Sequence, residues 1–133
     1  MFDLTEVVET KSARLQLVNA KTGALTQAFI ELAGPMHPKR RKIDLARRRE
    51  LQNRFQKRPG KFQLPDPEEI DSDQIELAVA CTLAWEGIGA EKNLLPCTPE
   101  NVREAYTNRR DVLAQVLSFM DEEANFLQST GGD

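Results

Sequence analysis

Apolar residues run almost without a break from Ile75 to Trp85, inside the stretch DSDQIELAVACTLAWEGIG that extends from Asp71 to Gly89; only Glu76 and Thr82 interrupt the run. This density predicts a helix whose apolar surface wraps most of its cylinder and must be covered on more than one side. Asp71 is placed to cap it, with Gln74 reaching back to the cap's amide, and Gly87 or Gly89 supplies the stop. The rest of the chain is expected to cover this helix.

Other periods surround it. Leu15 and Leu17 alternate with Arg14 and Gln16, and Ala28, Ile30 and Leu32 alternate with Gln27, Phe29 and Glu31. A period of two predicts two strands within residues 13–33, joined through Asn19, Lys21, Thr22 and Gly23 as a hairpin. The run from Glu6 to Thr10 suggests a third strand. Pro38 opens a helix over residues 38–58, with Ile43, Arg47, Leu51 and Phe55 spaced every four residues, and Pro59-Gly60 ends it. Residues 59–70 read as a linker. Thr98-Pro99-Glu100 is a helix start with a threonine cap, a proline and an acid in the first turn. That helix ends near Thr107 and packs through Val102, Ala105 and Tyr106. Asn108 then caps a last helix, Arg109 to Leu127, whose seam is Leu113, Val116, Leu117, Met120, Ala124 and Leu127, flanked by Val112 and Phe119. Gln115, Glu122 and Asn125 form its wet face, and residues 128–133 an unstructured tail. The whole, residues 1–133, is one domain of α+β class, mainly α: an N-terminal β-hairpin followed by about four helices in a small bundle, with the helical core over residues 71–127.

Charge divides this domain. The net charge is -3, yet Lys39 to Lys61 holds eleven basic and two acidic residues, a local +9, which leaves -12 for the remainder. Such a basic helix invites a nucleic-acid reading, in which cations neutralise phosphates. Phe55 and Phe62 are the only aromatic residues available there for base stacking, and no helix-turn-helix or zinc-finger spacing accompanies them. The preferred expectation is a solvated helix facing an acidic surface of the same protein or of a second copy. Arg47, Arg48 and Arg49 on one side and Glu122 and Glu123 on the other are the candidate self-association residues.

Chemistry adds little. Cys81, Cys97 and the one histidine, His37, assemble neither a disulfide framework nor a four-ligand zinc site. Cys81 reads as a small hydrophobe in mid-helix, and no base accompanies Cys97. Glu68, Glu69, Asp71 and Asp73 cluster at a helix start, where acids are favoured by the helix dipole. No phosphate-binding loop is present, and no apolar run approaches the ~20 residues of a membrane span. The expectation is a protein without catalytic residues, metal or cofactor, in a reducing cytoplasm, the acidic start MFDLTEVVETK lacking a signal pattern.

The ordered segments LQLVNAKTGALTQAFIELAGP, TLAWEGI, PCTPENVREAY and RDVLAQVLSFMDEEANF together resemble the small tail assembly chaperones of long-tailed bacteriophages. The resemblance is clearest from Leu77 to Phe126. It implies a protein that coats the long helical tape measure protein in the host bacterial cytoplasm before the tail tube forms, self-associates, and is absent from the mature virion. Within that reading, Val112, Val116, Phe119, Met120 and Phe126 are the candidate partner-binding residues, because a coating protein needs an apolar surface with adaptable side chains. The alternatives are a nucleic-acid-binding phage accessory protein using the basic helix, and a structural tail or connector component that stays in the particle.

Overall fold

The computed structural model describes residues 1–57 and 67–130, so most of the expected linker over residues 59–70 lies outside the described residues. The elements in chain order are β1 (Val7–Glu9), β2 (Ser12–Val18), β3 (Leu25–Ala33), α1 (Pro38–Lys57), α2 (Pro67–Cys81), β4 (Thr82–Glu86), β5 (Gly89–Ala90), β6 (Asn93–Leu94), α3 (Pro99–Asn108), α4 (Arg110–Asp121), a 3-10 turn (Glu123–Phe126) and β7 (Leu127–Ser129). The class is α+β.

Strands β2 and β3 pair antiparallel, with Leu15 opposite Ile30 and Ala13 opposite Leu32. Their turn closes through Asn19, whose N–H donates to the Ala24 carbonyl at 2.8 Å and whose carbonyl accepts from Gly23 at 2.7 Å. Gly23 takes a φ of 76°, a left-handed conformation that disfavours a β-carbon. Here the alternation of the sequence is the alternation of the sheet: Leu17, Ile30 and Leu32 are buried, whereas Arg14 is exposed and lies over the Phe29 ring at 4.5 Å.

The long apolar stretch is not one helix. Helix α2 begins earlier than expected, at Pro67, and stops at Cys81; the next residue already belongs to β4, antiparallel to β3, giving the sheet order β2-β3-β4. Trp85 sits opposite Ile30, and Thr82 opposite Leu32, with Leu83 accommodated as a bulge. A continuous apolar run suits a buried helix and a buried strand equally, and pairing along β3 decides between them. Asp71 consequently lies inside α2, where it accepts from Arg110 of α4 at 2.7 Å instead of capping.

The switch from helix to strand is held by hydroxyls. Thr82 Oγ1 donates to the Ala78 carbonyl at 2.7 Å, one turn back in α2. Since that hydroxyl has one proton, Tyr106 must be the donor in its 2.6 Å bond with Thr82 Oγ1. Burial pushes the Tyr106 phenol well above its ordinary value, so it stays protonated. Around this chain of bonds pack Ile30, Leu32, Ala78, Cys81, Tyr106 and Val116, all without exposed surface.

Helix α3 starts as expected, Thr98 accepting from the Asn101 N–H at 3.2 Å, with Pro99 in the first turn. The last helix departs from expectation. Arg109, not Asn108, occupies its N-cap position and makes no side-chain cap bond. At the other end, Glu122 takes an extended conformation (φ -88°, ψ 104°), so α4 ends at Asp121 and the chain continues as a 3-10 turn and β7. Asn125 stabilises the break by donating to the Phe119 carbonyl at 3.0 Å. Residues 127–129 of the expected core end and tail therefore form a strand, paired antiparallel with β1. Gln115, expected on a wet face, is half-buried and grips β2: its amide oxygen accepts from the Val18 N–H at 2.8 Å, and its amide nitrogen donates to the Val18 carbonyl at 2.9 Å. It acts as a strand partner supplied by a helix. The helices thus lie against a three-stranded sheet and one another in place of the small bundle expected.

Two outcomes test this account. Thr82→Val leaves the buried Tyr106 hydroxyl without a partner and should lower unfolding free energy by about 1–3 kcal/mol, whereas Tyr106→Phe, which leaves Thr82 satisfied by Ala78, should cost about 0.5–1.5 kcal/mol. Chemical denaturation of both variants and the double variant would show the double costing less than the sum. Arg103 of α3 grips Glu76 of α2 with bonds of 2.7 and 3.0 Å. This holds the Glu76 carboxyl below its ordinary value of 4.5. A depressed carboxylate pKa contributes stability above the unfolded value that is lost as pH falls through the folded one. Arg103→Ala should therefore lower the denaturation midpoint slightly at pH 7, the difference vanishing below the usual carboxylate range; a difference that persists unchanged into acid would refute the assignment.

Candidate interaction surfaces

A groove of about 590 Å³ opens between the sheet, the β4–β5 connection, α3 and the start of α4. Its floor is apolar: Leu17, Ala28, Ile30, Trp85, Ile88, Ala105 and Val112. Its rim is polar, with Asn19, Asn101, Glu104, Asn108 and the Arg109–Asp111 ion pair at 2.8 Å. Arg109 beside it holds the Asp111 carboxyl below its ordinary value.

Local structure builds this groove. Gly87 has a φ of 72°, and a β-carbon there would lie 2.5 Å from the Gln27 carbonyl oxygen, so the chain can turn off β4 close beside β3 only with glycine. β5 and β6 then form a two-residue hairpin through Glu91 and Lys92, at φ 51° and 69°. The returning strand brings Leu95 to the Trp85 ring, whose Nε1–H donates to the Leu95 carbonyl at 2.9 Å. Of the lining side chains, Trp85 Nε1 and the Tyr106 hydroxyl are both satisfied inside the protein. The floor presents carbon, and among the described residues no buried side-chain nitrogen or oxygen lacks a hydrogen-bond partner.

The second surface is α1. Its inner face lies along α2, whose first turns carry acids, but the contacts are to backbone: Arg47 donates to the Asp73 carbonyl at 2.6 Å, and Arg40 to the Ala33 and Met120 carbonyls at 3.2 and 3.0 Å. Arg40 also lies 5.7 Å from the Phe126 ring centroid. His37 caps the helix, its Nδ1 accepting from the Lys39 N–H at 3.1 Å. Arg41, Lys42, Leu45, Arg48 and Arg49 face outward and are exposed.

The candidate partner-binding residues do not share one surface. Val116, Met120 and Phe126 are 0%, 3% and 1% exposed, core residues unable to offer a binding face without unfolding. Val112 and Phe119 are half-buried, Val112 at the groove and Phe119 edge-on to Phe126 at 5.6 Å. The helical period located the stripe correctly; what it lacked was the sheet, invisible in local periodicity, that covers it. Of the candidate self-association residues, Arg47 is engaged with α2, Arg48 and Arg49 are free of ion pairs among the described residues, and Glu122 and Glu123 lie exposed where α4 breaks. No ion pair joins the two groups among the described residues. The groove residue Ile88 and the structural Arg40 and Gln115 have no distinctive local signal, since their roles arise from distant segments.

Among the described residues no three histidine, cysteine or acidic side chains cluster as metal ligands, and no helix is long and apolar enough to cross a membrane. Cys81 is fully buried, and burial pushes its thiol up to about 11, opposite to the shift that activates a nucleophile. Cys97 is an exposed free thiol before α3.

Met120→Ala and Phe126→Ala should behave as core truncations, lowering unfolding free energy by about 2–5 kcal/mol, while Val112→Ala, at a half-buried groove position, should cost clearly less. Thermal and chemical denaturation would check the order; near-wild-type stability for Phe126→Ala would return that residue to the surface. No protein-family model, curated protein or solved structure matches this chain.

Proposed function

We propose that this chain is a non-enzymatic tail assembly chaperone of a long-tailed bacteriophage, binding apolar segments of the helical tape measure protein in the host cytoplasm and leaving before the virion is complete. The resemblance carried by TLAWEGI, PCTPENVREAY and RDVLAQVLSFMDEEANF motivates the reading. The observation that carries it is the groove: about 590 Å³ with an apolar floor and its nearby polar atoms internally paired. A polar small ligand would find no convergent buried donors or acceptors there, and a ligand that left its own polar groups unpaired would be penalised. Apolar side chains from many related segments meet no such penalty. That suits weak, repeated binding along a long partner. On this reading the binding surface moves from the buried Met120 and Phe126 to Val112, Ile88 and Ala105. Self-association and the oligomer it would form remain part of the proposal.

Co-expression with the longest helical protein encoded beside it tests the reading. The tagged chain should render that protein soluble and retain it through nuclease treatment and a high-salt wash. Val112→Asp and Ile88→Asp, each placing a charge in the groove, should abolish retention while circular dichroism shows the fold intact. Retention unaffected by either folded variant would refute the groove as the site, and an insoluble partner beside a soluble chaperone would refute the function. Stoichiometric presence in purified particles would instead identify a structural component.

A further inference from the structure

Helix α1 is extremely polar for an element of a small domain, and its inner contacts use only part of its charge. Its outward sector repeats with a period of seven: Arg41 and Arg48 form one row, Lys42 and Arg49 a second, and Leu45 and Gln52 lie between them, with Asn53 beside the second row. At 3.6 residues per turn the two basic rows stand about 100° apart around the axis. All these residues are exposed, and none of the four cations has an ion pair among the described residues. The two acids of the helix leave this sector clear: Asp44 is half-buried, and Glu50 is held by Arg54 at 2.9 Å.

We infer that this outward face of α1 is a binding site for double-helical nucleic acid, with the basic rows on the two phosphate backbones and Leu45 and Gln52 toward the groove floor. The charge is complementary, and the helix, 20 residues and so roughly 30 Å long, is of a size that a major groove admits. Amide side chains such as Gln52 and Asn53 can hydrogen-bond to phosphates and base edges. An acidic protein helix is the weaker candidate. It would need an apolar seam, whereas this sector offers Leu45, 46% exposed, with Met36 near its start. A second copy can also supply acids, Glu122 and Glu123 being exposed, but the two basic rows match the two phosphate backbones that border a groove. This site is separate from the apolar groove, so either can fail alone.

Fluorescence anisotropy with a labelled DNA duplex of about 24 base pairs tests the inference on the full chain. Neutralising about four phosphates predicts a slope of log K against log salt between about -3 and -4, hence roughly 100-fold weaker binding at 200 mM than at 50 mM salt. Arg41→Gln, Lys42→Gln, Arg48→Gln and Arg49→Gln together should reduce affinity at least about tenfold and flatten the slope. The control substitutions Lys11→Gln, Lys21→Gln and Lys92→Gln should leave both near wild type. Should the fourfold variant fail to fold, the two pairs tested separately should each remove about half the slope. Absence of binding at ~10 μM protein in 50 mM salt, where even non-specific sites bind, would overturn the site. So would equal losses in the control, or displacement of the duplex by polyglutamate at matched charge, which would assign the face to an acidic protein. A fourfold variant that loses self-association yet still binds DNA would assign it to a second copy.

Discussion

The Thr82 hydroxyl holds the rest of this structure together. A helix that ends leaves its last carbonyls without partners, and most chains answer with a loop, a glycine and water. Here α2 passes into β4 with no connecting residue, because Thr82 donates to the Ala78 carbonyl at 2.7 Å and accepts from Tyr106. The arrangement is buried, where an unmade bond is expensive and a made one is strong. It fixes three things at once: the end of α2, the place of β4 beside β3, and the depth at which α3 lies on the junction. The groove follows from this, since Trp85 and Ile88 reach its floor only if the chain leaves α2 as a strand.

Where information is local, the sequence predicts it well. The threonine, proline and acid at the start of α3 act within one turn, and Gly23 acts within one turn of backbone, so both are legible in a few residues. The alternation around Leu15 and Ile30 is legible because one face of β2 and β3 is buried and the other wet. The stretch from Ile75 to Trp85 is ambiguous for the opposite reason. When both faces are covered, helix and strand require the same composition, and the decision passes to β3, some fifty residues earlier. Gln115 looks like any surface glutamine until Val18 is placed beside it, 97 residues away. The burial of Met120 and Phe126 is hidden for the same reason: a stripe shows that something covers a helix face, not whether the cover comes from this chain or another. The groove was illegible, being assembled from β2, β3, β4, α3 and α4 with no two adjacent residues of distinctive type.

The basic segment separates into two populations by what it touches. Arg40 and Arg47 turn inward and donate to carbonyls, including that of Met120 in the last turn of α4, where a cation also meets the negative end of the helix dipole. These arginines fasten α1 to the domain, and counting them as ligand-binding charge would overstate its capacity. Among the described residues Arg41, Lys42, Arg48 and Arg49 make no such contact, and all four are exposed. The chain's net charge of -3 hides this division completely.

The segregation also bears on why the chain does not neutralise itself. A segment of +9 beside a remainder of -12 would be expected to fold its charges together. Four of the carboxylates have nearer partners. Arg103 takes Glu76, Arg110 takes Asp71, Arg109 takes Asp111 and Arg14 takes Glu86, each pairing arising from the packing of α2, α3, α4 and the sheet. Each exposed pair contributes little alone. Together they occupy four acids that would otherwise compete for the outer cations of α1, and among the described residues those cations have no ion pair within the fold. The apolar groove and the charged face thus obey opposite dependences on salt, since kosmotropic salts strengthen burial while any salt screens charge.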